Sequence, residues 1–238
     1  MVQNIEIRTM ANESDRPYSI TRIEQNQTNC YLIEVDNGFI LIDTGYTKYR
    51  QEIEDAIASL GCTPGNLKLI VLTHGDFDHT GNSEYFRRKF NCKIAMHSVD
   101  IGMVEKGDFF WNRENRAITK ILGRLMISIL RMKLKKEDRF TPDILLDDKQ
   151  DLSEFGLDAS IIHTPGHSKG SIGILTKEGD FFCGDLFVNT TTPRKNTMLS
   201  NSIDYEESIK KIGTLQIQRI YPGHGLPFDV TDILSEVS

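Results

Sequence analysis

Apolar residues along this chain recur at two spacings, and the switches between them mark its elements. Runs rich in β-branched and aromatic residues at Tyr18–Glu24, Cys30–Val35 and Phe39–Ile42 predict strands, with Asp36–Asn37–Gly38 closing a hairpin between the last two. From about Lys48 to Leu60 the spacing becomes helical, and Gly61 stops it. Lys68–Leu72 is a short apolar run of the kind that becomes a buried strand; Asn82–Phe90 reads as a helix and Lys93–Met96 as a strand. The second half repeats the habit. Ala159–Ile162, Ser171–Thr176 and Asp180–Cys183 are strand-like, Tyr205–Leu215 helical, and Arg219–Tyr221 a last short strand. This alternation predicts an α/β protein of sheets covered by helices. The halves share no sequence repeat and no Pro/Gly/Ser linker divides them, so one domain over 1–238 is expected.

The stretch from about 102 to 147 breaks the rhythm and reads as a helical insert. Its centre, RAITKILGRLMISILRMKLKK at 116–136, sets Ile118, Ile121, Leu122, Leu125, Ile129 and Met132 on one helical face. Gly123 mildly weakens that helix. The stretch carries seven Lys and Arg and no acid; with a chain net charge of −6, the remainder stands at about −13 and should attract it. The expectation is a helix packed on the body with its basic face in water. A lid over a site, a dimer contact and a membrane-surface helix are the alternatives.

Composition removes several classes of partner. The 238 residues suffice for a real core, and the mild acidity argues against a nucleic-acid partner, which demands a basic face. No run approaches the roughly 20 apolar residues that span a membrane. The N-terminus MVQNIEIRTMANESD lacks the cationic start and apolar stretch of a secretory signal. Cys30, Cys62, Cys92 and Cys183 are scattered, with no C-x-x-C pair, and read as reduced and mostly buried. A cytoplasmic protein is expected.

Candidate chemistry gathers where apolar runs end. KLIVLTH ends at His74, ASIIHTPGH at His167, DFFCGD at Asp185 and IQRIYPGH at His224. In layered α/β folds such strand ends share an edge where loops converge. Glycines 75, 166, 184 and 223 flank these residues and would let the backbone turn sharply. The densest cluster, H-x-D-x-D-H, places His74, Asp76, Asp78 and His79 within six positions. Unpaired, these groups would repel and lose hydration; a divalent cation resolves the conflict, since imidazole and carboxylate are ligands for Zn, Fe or Mn.

TNCYLIEVDNGFILIDTG, THGDFDHTGN, HTPGHSKGS, FFCGDLF and YPGHG, in this order, resemble the five motifs of the metallo-β-lactamase fold superfamily, from about residue 28 to 228. The resemblance implies a four-layer αββα sandwich with two adjacent metal sites. His74, position 76 and His167 would hold one ion, Asp78, His79 and His224 the other, and Asp185 would bridge both. Asp43 of LIDTG would stand beside the site, or serve as a turn-stabilising Asp-x-Gly. Zn is the first expectation, with Fe or Mn as alternatives.

One position departs from the family, which mostly has His where this chain has Asp76. An aspartate there either ligates through oxygen, favouring harder ions, or fails to reach, leaving one ion at the second site. The resemblance implies a hydroxide between two ions attacking a small ester, lactone, thioester or related substrate, with Asp78 orienting the water and taking its proton. The alternatives are iron-dependent oxygen or sulfur redox chemistry and a metal-bound binding module without turnover. Glyoxalase II members usually add a C-terminal helical domain, true β-lactamases are exported, and RNA-processing members carry basic arms and further domains. This sets those activities aside but leaves phosphodiesterase action on a small molecule open. His97 and His163 read as structural, Cys183 as a buried strand cysteine, and Trp111, with Phe109 and Phe110, as an anchor for the insert. The apolar face at 116–136 would suit a homodimer.

Overall fold

The computed structural model describes residues 5–9, 16–113, 117–129 and 133–233. The N-terminal half runs β1 (Glu6–Thr9), β2 (Ser19–Gln25), β3 (Thr28–Val35), β4 (Gly38–Ile42), α1 (Arg50–Ser59), β5 (Leu67–Val71), α2 (Phe77–Thr80), α3 (Ser83–Phe90) and β6 (Lys93–His97). The insert supplies α4 (Ile101–Lys106), α5 (Ala117–Ile129) and β7 (Ile144–Leu146). The C-terminal half follows with β8 (Ala159–His163), β9 (Ile172–Thr176), β10 (Asp180–Asn189), β11 (Arg194–Lys195), α6 (Ser202–Ile212), β12 (Arg219–Gly225) and β13 (Phe228–Asp229).

Hydrogen bonds link the strands in the order β7-β6-β5-β4-β3-β12-β10-β9-β8, with β2 on the other side of β3. Between β3 and β12 the pairing is a single contact, Thr28 with His224, so the path folds there into two sheets. Side-chain alternation sorts the layers. Cys30 and Leu32 of β3 pack with Ile53 and Ile57 of α1 and Phe86 of α3. Their neighbours Tyr31 and Ile33 point the other way, onto Ile174, Phe182 and Tyr221 of the second sheet. Phe181 and Ile220 in turn face Tyr205, Ile209 and Ile212 of α6. Three apolar interfaces between four layers give the expected αββα order. A one-residue slip in β3 or β10 would exchange the faces and bring the wrong side chains to the site.

Several predicted elements shift by a few residues. β10 continues past Cys183 to Asn189, α1 is preceded by a single 3₁₀ turn at Thr47–Tyr49, and α6 starts at Ser202 because the Asn201 side chain accepts from the Ile203 and Asp204 N–H groups.

The insert departs from expectation. α5 is amphipathic, but its apolar stripe faces solvent: Ile118, Ile121, Leu122, Leu125 and Ile129 are all at least 59% exposed. Met132 lies outside the described residues. The helix docks through its narrow side, where a Cβ on Gly123 would lie 2.3 Å from the Phe110 ring, and Arg124 pairs with Asp108 at 2.7 Å. A glycine and an ion pair, rather than the apolar stripe, fix its orientation. No helix among the described residues is long and apolar enough to cross a membrane.

Candidate metal centre

The turn after β5 delivers His74, and Asp76 occupies the N-cap position of α2, whose first turn carries Asp78 and His79. His167 follows β8, Asp185 lies within β10 and His224 near the end of β12. The fold brings all seven side chains together. Their donor atoms form three overlapping groups, His74 with Asp76 and His167, Asp78 with His79 and His224, and His74 with His79 and Asp185, each spanning no more than 4.8 Å.

Of the four flanking glycines, Gly166 and Gly184 have positive φ, as a sharp turn requires. Gly223 is there for room. A Cβ on it would lie 2.5 Å from Asp185 Oδ1 and 2.7 Å from His79 Cε1.

Each imidazole is fixed through Nδ1. His79 Nδ1 lies 2.8 Å from Asp43 Oδ2, His167 Nδ1 2.7 Å from the Met198 carbonyl, and His224 Nδ1 3.2 Å from the Gln27 carbonyl. His74 Nδ1 lies 2.9 Å from Thr73 Oγ1, whose own proton goes to Asp43. These acceptors assign the N–H to Nδ1 in all four rings and turn every Nε2 toward the centre. Asp43 therefore does both things foreseen for it: at φ 57° it turns the chain, and its carboxylate orients His79.

The second group has the spacing of a coordination shell. His79 Nε2 is 3.4 Å from Asp185 Oδ1 and 3.7 Å from Asp78 Oδ2, while His224 Nε2 is 3.3 Å from Asp185 Oδ2 and 3.6 Å from Asp78 Oδ2. Four ligands at roughly 2.1 Å in a tetrahedron are about 3.4 Å apart. Asp185 Oδ1 and His74 Nε2 are buried without a hydrogen-bond partner. Burial disfavours charge on His79, yet Asp78, Asp43 and Asp185 outweigh it and raise this imidazole well above its ordinary range. His224 is raised likewise by Asp185 against burial. Conversely, burial would raise Asp185, but His224 and His79 hold it well below the usual carboxylate range. The group calls for positive charge.

In the first group a cation is already present. Arg113 Nη2 donates to Asp76 Oδ1 at 2.6 Å and Oδ2 at 2.7 Å, and both side chains are buried. Burial alone would raise Asp76; Arg113, then His74, keep it well below the ordinary range. Sequence reasoning left open whether Asp76 ligates an ion or fails to reach one, and it did not single out Arg113. The signal available was the departure itself, since an aspartate placed among histidines needs a cation, and WNRENR opens the insert. Asp100 was missed too. Buried after β6, it accepts from the Gly75 and Gly170 N–H groups and the Ser168 hydroxyl, and so straps the His74 loop to the His167 loop.

Above these groups opens a cavity of about 610 Å³, with Asp78, Asp185 and His224 on its floor and Phe77, Phe109, Phe110, Met126, Ile127 and Met198 among its walls. Phe109 and Phe110 thus line a pocket as well as anchoring. Trp111 anchors only, against Gly102 with Lys106 over its ring. His97 and His163 stack on each other, centroids 4.3 Å apart, and His163 Nε2 donates to the Lys169 carbonyl. Cys183 is buried.

A family model described as the metallo-beta-lactamase superfamily matches residues 23–224. The chain is similar to a beta-lactamase-like protein 2 homolog of Caenorhabditis elegans, 27% identical over 203 residues, covering 85% of this chain and 57% of that one. It therefore spans less than two thirds of that relative's length. It is also similar to a hydroxyacylglutathione hydrolase of Haemophilus influenzae, 28% identical over 207 residues, covering 84% of this chain and 86% of that one. A solved protein in a di-iron-bound form superposes with a TM-score of 0.67 over 88% of this chain and 94% of its own; at 23% identity the likeness is one of fold. The matched span runs from β2 to His224 and includes every strand end that carries a donor: the chain belongs to the metallo-beta-lactamase superfamily.

Proposed function

We propose that the chain is a metal-dependent hydrolase acting on a small ester or thioester with an apolar acyl group. The observation that carries this reading is the convergence of four Nδ1-anchored imidazoles, each presenting Nε2, on carboxylates at the floor of a largely apolar cavity. Asp78, His79, Asp185 and His224 would hold the ion, and two nitrogen with two oxygen donors suit Zn first. When bound, the ion supplies Lewis-acid polarisation and lowers the pKa of a water toward neutrality.

The chain's own residues supply the rest. Asp78, at the cavity floor, orients the attacking water and takes its proton. Burial, then the charge of Asp78, push the Tyr46 phenol above its ordinary range, so Tyr46 stays protonated and can donate to the substrate's carbonyl oxygen. The aromatic and methionine walls receive the acyl chain and keep bulk water from it. Water adds to the acyl carbon, the C–S or C–O bond breaks, and acid and thiol or alcohol leave. The name of the Haemophilus relative, a hydrolase of an acylated thiol, points to the same bond. Asp76 as an oxygen ligand was one feature favouring iron redox chemistry, and its pairing with Arg113 weakens that one feature.

A panel of acyl thioesters and esters of increasing chain length tests the reading. Zn-reconstituted protein should turn over the longer acyl groups with higher kcat/KM, lose activity to a chelator and regain it with Zn. Tyr46→Phe should lower kcat by roughly a hundredfold. Turnover no faster than the uncatalysed rate across the panel would overturn it.

A further inference from the structure

We infer that the Arg113 guanidinium takes the place of the first metal ion, so that this chain binds one ion per molecule, at the Asp78, His79, Asp185 and His224 end of the centre. The inference rests on the reading that this end holds an ion at all. It deepens that reading by assigning a stoichiometry and a residue that sets it.

The guanidinium is built in on every side. Nε donates to the Phe109 carbonyl at 3.2 Å, Nη1 to the His167 carbonyl at 3.2 Å, and Nη2 to both oxygens of Asp76; its Cζ lies 3.9 Å over the Phe109 ring. No nitrogen of the fork is idle, as expected of a residue recruited for planar recognition of a carboxylate. Asp76 Oδ2 and His167 Nε2, the atoms a first ion would use, lie 2.7 and 3.4 Å from Nη2. Ion and guanidinium would compete for the same lone pairs.

Charge leads to the same count. In the first group one carboxylate, Asp76, faces one permanent cation, and the group is closed. Asp78 and Asp185 present two carboxylates whose ion pairs run only to His79, His167 and His224 among the described residues, which one divalent ion balances. A second divalent ion would bring two further positive charges beside a buried guanidinium, where like charges repel with little water to screen them. The first-group nitrogen without a hydrogen bond, His74 Nε2, lies 3.5 Å from Asp76 Oδ2 but belongs equally to the group it forms with His79 and Asp185, and so also faces the ion that remains. Asp76 in place of histidine is what makes the exchange work, since a histidine would not hold a guanidinium there.

The test is metal counting, independent of turnover. Protein stripped and dialysed to equilibrium against Zn²⁺ should carry one ion per chain by elemental analysis. Mn²⁺-loaded protein should give the electron paramagnetic resonance spectrum of an isolated ion. Arg113→Met, which removes the cation at similar volume, should carry two ions and show the spectrum of a coupled pair. His167→Ala should keep the single ion, and His224→Ala should lose it. Two ions in the wild type would overturn the inference while leaving the metal site standing, as would an ion lost with His167 but kept without His224. No ion in the wild type would overturn the metal reading, and the inference with it. Should Arg113→Met not fold, the wild-type count and spectrum still decide.

Discussion

The two ends of the centre are made of the same parts and close their charge in different ways. His74, Asp76 and His167 are as buried as His79 and Asp185, come from the same strand edge, and sit at similar separations. Around Asp76 the positive charge comes from the protein, as Arg113. Around Asp78 and Asp185 it is left to histidines raised above their ordinary range. If Arg113 replaces one ion, donor spacing alone does not make a metal site, and what decides is whether the fold has already supplied the cation.

The largest effect expected from breaking this contrast is on the second end. Asp185→Ala removes a donor shared by His79 and His224 and should abolish Zn retention, lowering kcat/KM by more than about a thousandfold, since several kcal/mol of charge stabilisation go with the ion. An Asp185→Ala protein that keeps both ion and activity would place the chemistry elsewhere.

At the first end the same kind of change should appear in stability. Arg113→Ala leaves Asp76 buried with only the His74 and His167 imidazoles beside it, costing about 3–5 kcal/mol in urea unfolding, whereas Asp76→Leu combined with Arg113→Met should cost far less because no carboxylate stays buried without its cation. Equal costs for the single and double variants would mean that packing, not charge, is what Arg113 provides. A smaller effect comes from Asp43, which holds His79 directly through Nδ1 and His74 only through Thr73. Asp43→Ala should weaken Zn affinity about tenfold to a hundredfold in a competition titration and leave the wild-type count unchanged at saturation.

How much of this was legible in the sequence follows from which interactions are local. The strands of five residues or more and α1, α3 and α6 were readable because each carries an apolar run at its own period, whereas the shorter β1, β7, β11 and β13 were not. His74, His167, Asp185 and His224 stood out because each ends an apolar run next to glycine, and Asp76, Asp78 and His79 because they crowd in behind His74. Arg113 was not readable, because its partner lies 37 residues earlier and nothing in its own neighbourhood distinguishes it from a surface arginine. The orientation of α5 was equally hidden. Its pattern shows an apolar stripe, but which side meets the body depends on Phe110 packing into the gap at Gly123. Amphipathicity predicts a helix, and contacts with other segments decide its facing. The same holds for Gly223, whose purpose appears only when Asp185 and His79 approach it.

The smallest expected effect sharpens the contrast by taking histidines outside the centre. His97 is buried and stacked on His163, and burial first, then His163, lower it from 6.5. Its folded pKa is thus depressed where those of His79 and His224 are raised. An unfolded chain takes a proton on this residue as pH falls through about 6.5, while the folded chain takes it only at lower pH, so folding stability is lost on that descent and levels off beneath the folded value. Asn at this position can still accept from the Val99 N–H, as His97 Nδ1 does at 3.3 Å, but cannot titrate. Urea unfolding of wild type and His97→Asn from pH 8 to pH 5 should show the wild type losing more stability than the variant, the difference opening below about 6.5. The site histidines are common to both proteins and cancel in that difference. A wild type that lost no more than the variant would show that stacking, and not exclusion of the proton, is the role of this pair.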